Sequence, residues 1–417
     1  GDWSHNHFES LRRQVEQLLG QGDLAGAQDN ARHLLTRSLT AGENRYPEAA
    51  VDVVAAYLTY GRALRSRGAA QQALEPLQAA HRRLLERHGG SRLRPALEVE
   101  LGECHLQLGD GDSAVAHYRT LIQETDPEGT LPGRLRLGAI LLSLGRRDEA
   151  LETLQAAQQQ TDPEHPAMAD IQQLLGVIHR QLGDYDSAEQ LIQSALAQRI
   201  RRQDRSGEAA VLAEMANLFD AMGRLEDAVR LAKQAASIAL DLGDGLLEGQ
   251  ARHNLGETLL KLNRLPEARL ALEQALTHKL EQGSDGEIWK TWHLLARLDT
   301  LQGKPGAADA RQRAVESFLE HRRSGGRNPH PTARLCQAVL ALIQAGDTDP
   351  AHLRPPADRV PDPTQGVGLL LDKLRAVLAG ERDPALAEDS RLHYQYAAEL
   401  RLLLDTLNRT GPPTESG

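Results

Sequence analysis

Residues 303–309 read GKPGAAD, a glycine-rich stretch with a lysine that could cradle a phosphate. A phosphate loop needs Gly-x-x-x-x-Gly-Lys-Ser/Thr at the start of a helix, where backbone N–H groups and the ammonium converge on the anion. Here Pro305 stands where the hydroxyl belongs and the glycine spacing fails. His5 and His7 form a His-x-His pair that could ligate a metal, at a terminus expected to fray. The segment 241–249, DLGDGLLEG, lacks the alternating acids of a calcium loop. Gly-x-Ser-x-Gly and His-Glu-x-x-His do not occur. Cys104 and Cys336 are too few for a disulfide framework or a cysteine zinc site and are expected as buried thiols in a reducing, cytoplasmic compartment. His81 and His88 flank two arginines, and QRIRRQDR (198–205) is basic. Both read as solvated helix faces, with an acidic partner the other option for the second. These residue types therefore predict no enzyme, no cofactor and no metal.

The elements that carry them are helices. Leu, Ala, Gln, Arg and Glu, all good helix formers, dominate the 417 residues, while aromatics make up 3%. The chain reads as all-α. A net charge of −10 disfavours nonspecific binding to nucleic acid. No run approaches the ~18 apolar residues that a membrane span needs.

The helices recur as a unit. LGD at 182–184 ends one apolar pattern and starts another, and the same break centres on 22, 68, 109, 145, 223, 263 and 303. The later breaks are 40 residues apart. The break residue is Gly except for Asn263, as expected where a helix closes through a left-handed residue. Five residues on stands Ala in every copy: Ala27, Ala73, Ala114, Ala150, Ala188, Ala228, Ala268 and Ala308. Seven residues before the break stands Gly61, Gly102, Gly138, Gly176, Ala216, Gly256 or Ala296, with Val15 departing. A mid-helix Gly costs about 1 kcal/mol, so its recurrence predicts close helix–helix approach. A further packing column holds Ala80, Ala157, Ala195, Ala235 and Ala275, with Leu34, Leu121 and Val315.

This pattern of Gly/Ala, Gly and Ala over two helices resembles the tetratricopeptide repeat, across about residues 8–320 as eight units. The 40-residue period is similar to that of kinesin light chains and of many bacterial regulators, and residues 161–196, with their Asp-Pro-x-His-Pro lead-in, resemble it most. The family's Trp and Pro positions are mostly missing. The resemblance implies a right-handed superhelical solenoid of stacked helix-turn-helix units, with the first helix of each on the concave wall, the second outside, and lead-in loops such as 125–133 and 161–167 on an edge. The expected organisation is 1–46 as N-terminal helices and a first unit, 47–320 as seven units forming the main solenoid, 321–333 as a linker or bend, 334–410 as degenerate capping helices, and 411–417 as a disordered tail. Within the fourth segment, LIQAGDTDPAHL (342–353) and VLAGERDPALA (377–387) echo one another, and 354–366 is expected as a loop.

The resemblance also implies which side chains face the groove. They are Arg180, Asn217, Asp220, Gln250, His253, Asn254, Glu257, Lys261, Lys290, His293 and Arg297, with Arg62, Arg65, Glu103 and Gln107, then Leu135 and Leu142, on the same wall further back. Some family members clamp a partner's C-terminal carboxylate with Lys/Asn/Asn/Lys/Arg. Asn217, Asn254 and Lys290 match three of those positions, whereas Ala213 and Leu294 replace the first Lys and the Arg. The implied function is a binding module for a protein or peptide, acidic or carrying a free carboxylate, with oligomeric state open. Trp289 and Trp292 flank the segment as binding anchors or as packing between repeats. Polar residues that merely coat the wall are the competing reading. A second expectation follows from the start GDWSHNHFES, which lacks Met: a regulatory segment of a larger bacterial signalling protein, such as a signalling ATPase, a protein kinase or a caspase-like protease. An enzymatic bundle before the repeats finds too few residues.

Overall fold

The computed structural model describes residues 2–86, 91–124, 129–282, 286–328, 330–354 and 366–410. The expected tail 411–417, residues 125–128 of the lead-in loop, His88 and nearly all of the expected loop 354–366 lie outside the described residues. Among the described residues there are nineteen α-helices and no strand, and no helix is long and apolar enough to cross a membrane. The chain divides into two compact units, Gly1–Ile178 and His179–Gly417.

In the first unit, α1 (His5–Gly20) packs on α2 (Leu24–Ala41), α3 (Ala49–Ser66) on α4 (Ala70–Glu86), α5 (Arg94–Gln107) on α6 (Gly111–Glu124), and α7 (Leu131–Ser143) on α8 (Arg147–Gln160), each pair also resting on the next. The helix α9 (Met168–Gln181) carries the boundary. In the second unit α10 (Tyr185–Arg201) packs on α11 (Arg205–Ala221), followed by α12 (Leu225–Leu242), α13 (Gly245–Lys261), α14 (Leu265–Gln282), α15 (Ile288–Leu301) and α16 (Ala307–Arg323) in the same consecutive stacking.

The break column does what its residue types require. All eight breaks have positive φ, from Gly68 at 83° to Asn263 at 57°. At Asn263 its own N–H donates to Leu260 O and the next N–H to Leu259 O, closing the helix end that α13 would otherwise leave open. The Ala column is buried from Ala27 to Ala268.

Two expectations are corrected. Ala308 is exposed, and Ala310 takes its place in the core. Every earlier second helix starts two residues after its break, but the Lys304-Pro305-Gly306 turn delays α16 to Ala307, so the register slips by two. The N-terminus is not frayed. Trp3 is buried under the Arg37 guanidinium, Ser4 caps α1, and His5 Nδ1 lies 2.8 Å from Asp52 Oδ2.

Beyond α16, α17 (Pro331–Gln344), α18 (Val367–Leu378) and α19 (Tyr394–Arg409) share one core built on Val339, Leu370, Leu374, Leu400 and Leu404. The two echoes fold alike. Each ends a helix at a positive-φ glycine, Gly346 or Gly380, and Asp349 or Asp383 then caps a 3-10 turn by accepting from Ala351 or Ala385 N–H at 3.0 Å. Helix α19 also returns to α16, placing Tyr394 and Ala398 against Trp289 and Phe318.

Candidate functional site

The first helices of successive repeats are tied by polar rungs. Counted from the small residue of each, positions +1 and +4 of one helix reach position −2, +2 or +5 of the next. In the first unit Arg62 and Arg65 both bind Glu100, at 3.1 and 2.5 Å, and Arg136 binds Glu103 at 2.7 Å. In the second unit Arg180 reaches Glu214, and Asn254 Nδ2 donates to Asn217 Oδ1 at 2.9 Å. Thr258 donates to Asp220 at 2.5 Å, and Lys261 pairs with the other oxygen of the same carboxylate.

These rungs engage Asn217, Asn254, Asp220 and Lys261 together. The other expected face residues divide. His253 is buried and its Nδ1 lies 2.9 Å from Thr291 Oγ1, so it serves the core of the repeat stack. The His293 ring lies tilted against Tyr394 of α19 and against its N-cap residue His393, with ring centroids 4.8 and 5.3 Å away. Lys290 pairs with Glu287 on its own helix. Gln250, Glu257 and Arg297 make no hydrogen bond or ion pair with any described residue. Of the two tryptophans, Trp289 is core, while Trp292 is half-buried with the Arg313 guanidinium 5.1 Å from its ring. The basic stretch 198–205 is held locally, Arg199 by Asp204 and Arg205 by Glu208.

Glu214 is the residue that the sequence reading missed. Its Oε2 and Arg180 Nε are both buried without a hydrogen bond, although the two groups are 3.9 Å apart. Burial raises the Glu214 pKa, against the Arg180 charge and a hydrogen bond from Asn217. Its signal was its place two residues before the small position, the same place that Glu100 and Asn254 hold. The ladder stops after Asn254, because the −2 position of α15 is Leu294, which is buried and apolar. Among the described residues no group of three His, Cys, Asp or Glu is placed to hold a metal.

The match to known proteins agrees with this geometry. The family model described as tetratricopeptide repeat matches residues 132–201 and 206–281. Over those residues the chain carries tetratricopeptide repeats. The crystal structure of a tetratricopeptide repeat protein from Parabacteroides merdae is similar at 16% identity and a TM-score of 0.50, covering 68% of this chain and 98% of that one. The apo form of RapI is similar at 11% identity and a TM-score of 0.50, covering 97% and 99%. No curated protein sequence matches. At such identities the likeness concerns the fold, so the chemistry of the repeat face rests on the residues themselves.

The buried histidines of the second unit make its stability pH-dependent. Burial, with Lys279 and Lys290 nearby, pushes the His253 pKa down to about 3. Burial beside His293, His330 and Arg311 pushes His393 down to about 4. Unfolded histidine titrates near its ordinary value, so below about pH 6.5 the unfolded chain takes up protons that the native state refuses. Stability is therefore full above that pH and falls as the pH drops toward 4. At pH 5 each histidine is expected to cost up to about 2 kcal/mol relative to pH 7. Urea denaturation at both pH values checks this, and His253→Gln with His393→Gln should remove most of the difference.

Proposed function

We propose that the repeats are a binding module, without catalysis of its own, and that the face formed by Arg180 at the end of α9 with α11, α13 and α15 holds an extended protein or peptide segment. The observation that carries this is that the rung ladder is open on both sides of the Asn217–Asn254 pair. On one side Arg180 Nε and Glu214 Oε2 each have a buried valence to fill, and on the other Glu257 faces no polar rung. A peptide group brings one donor and one acceptor, which matches Glu214 and Arg180 in turn. The amides of Asn217 and Asn254 hold each other in place and keep further lone pairs and N–H groups for a main chain.

Arg180, Lys290 and Arg297 favour acidic groups on that segment, while Glu257 and Asp220 limit how many it carries. Polar contacts of this kind fix register more than they add affinity. Cytoplasmic action on a protein partner fits the chain's acidity, which opposes nucleic acid.

Selection of a random peptide library on the purified protein tests the proposal. Enriched peptides are expected to lose about tenfold in affinity on Asn254→Ala, the worth of one to two hydrogen bonds, and as much on Arg180→Met. Arg230→Ala on α12, an exposed residue of a second helix in the same unit, should change nothing. No enrichment, or peptides that bind Asn254→Ala and Arg180→Met as tightly as the parent, would reject it.

A further inference from the structure

A second concavity in this unit, of about 540 Å³, lies between α14, α15 and α16, and it is walled by Lys279, Leu280, Ile288, Trp289, Trp292 and Arg313. Lys279 is only 5% exposed, and it makes no hydrogen bond or ion pair with any described residue. Glu287, whose charge acts on it, is paired with Lys290. Room for the lysine stem comes from two glycines. A Cβ on Gly249 would lie 3.6 Å from Lys279 Cγ, and one on Gly286 would lie 3.1 Å from Lys279 Cβ.

A nearly buried lysine with no ion pair to any described residue is a cost to the fold that a bound anion would offset. Burial, with Lys290 adding to it, lowers the Lys279 pKa to about 8. The rim is different in character. Glu316 and Glu320 are exposed there, and Arg313 is paired with Asp309 while it covers Trp292.

We propose that this concavity binds a small monocarboxylate with an aromatic or branched apolar body, its carboxylate on Lys279 Nζ and its body against Trp292 and Ile288. A single cation at depth suits one negative charge, and the glutamates at the rim repel a second, so phosphates and dicarboxylates are disfavoured. The apolar walls select a body that an inorganic anion lacks. A free acid and the last residue of a peptide share this chemistry.

Fluorine NMR on the full chain separates the outcomes, with 4-fluorophenylacetate as the free acid, N-acetyl-4-fluorophenylalanine as the peptide end and 4-fluorophenylacetamide as the uncharged control. Either acid should broaden and shift on adding protein, while the amide should not. The free acid binding alone, or the peptide end binding alone, supports the site and names its source. Binding should weaken about tenfold between pH 7 and pH 9 as Lys279 loses its proton, a readout that needs no variant. Lys279→Met should weaken binding at least tenfold and leave the thermal midpoint unchanged or higher, because an unpaired buried charge is removed. The proposal is overturned if neither acid binds, if the amide binds as well as the acid, or if binding survives both Lys279→Met and the rise in pH. The peptide selection on the odd-helix face uses different residues, so either reading can fail without the other.

Discussion

Gly256→Ala is expected to destabilise the protein by about 2 kcal/mol, and Leu272→Ala by about 3 kcal/mol, while the double variant costs at least about 1 kcal/mol less than the two together. The reason is a register that runs through the repeats. A Cβ on Gly256 would lie 2.6 Å from Leu272, sixteen residues on. The same spacing puts Leu77 at 2.4 Å from a Cβ on Gly61, Leu154 at 2.7 Å from one on Gly138, and Tyr118 at 2.9 Å from one on Gly102. Each facing side chain is fully buried or nearly so and cannot swing away. Where the facing residue is small, glycine is not needed: Ala216 stands against Ala232, and Val15 shares a cluster with Ala31. In the slipped last repeat the partner of Ala296 becomes Ala314, which is fully buried. The mid-helix glycines thus make room for one large side chain of the second helix. Chemical denaturation of the four proteins in the cycle checks this; strictly additive costs would show that Gly256 is there for another reason.

Arg322→Met should release α19 from α16 and cost about 3–5 kcal/mol, because it leaves the Glu399 carboxylate buried without its main partner. Glu399 is 4% exposed and accepts from Arg322 Nε at 2.7 Å and Nη2 at 3.4 Å, and from Asn328 at 3.3 Å. Glu399→Gln on the Arg322→Met background should recover part of the loss, since a neutral amide is cheaper to bury than a carboxylate. Hydrogen exchange over 394–409 reads the release directly. Unchanged protection there in Arg322→Met, with the parent's denaturation midpoint, would mean that the apolar contacts of Tyr394 and Ala398 hold the helix without the ion pair.

The repeat units were legible because their causes are local. Gly183 and Asn263 close helices through bonds that span five residues, and Ala188 is fully buried in the first turn of α10. The reason for the mid-helix glycines was half legible: close approach was expected, but not the particular large side chain sixteen residues away. The slip at Pro305 was visible as two extra residues, yet the Ala at 308 matched the column and concealed it. For the face residues, type and offset gave Asn217, Asn254, Asp220 and Lys261 as groove-facing groups, and the structure joins Asn254 to Asn217 and Lys261 to Asp220. They could not separate the residues that satisfy one another from those left open, nor show His253 turned into the core and His293 covered by α19.

By itself the sequence determined the all-helical class, the helix pairs, the position of each break and the small-residue columns. Those features depend on backbone conformation and on packing within a single hairpin. Only the tertiary structure decided which polar side chains find partners, because a rung joins residues 33 to 41 positions apart. It likewise decided that Glu399 meets Arg322 across 77 positions and that Lys279 pairs with no acid among the described residues. Burial of a charge is set by what the neighbouring helices bring to it, and no local pattern carries that information.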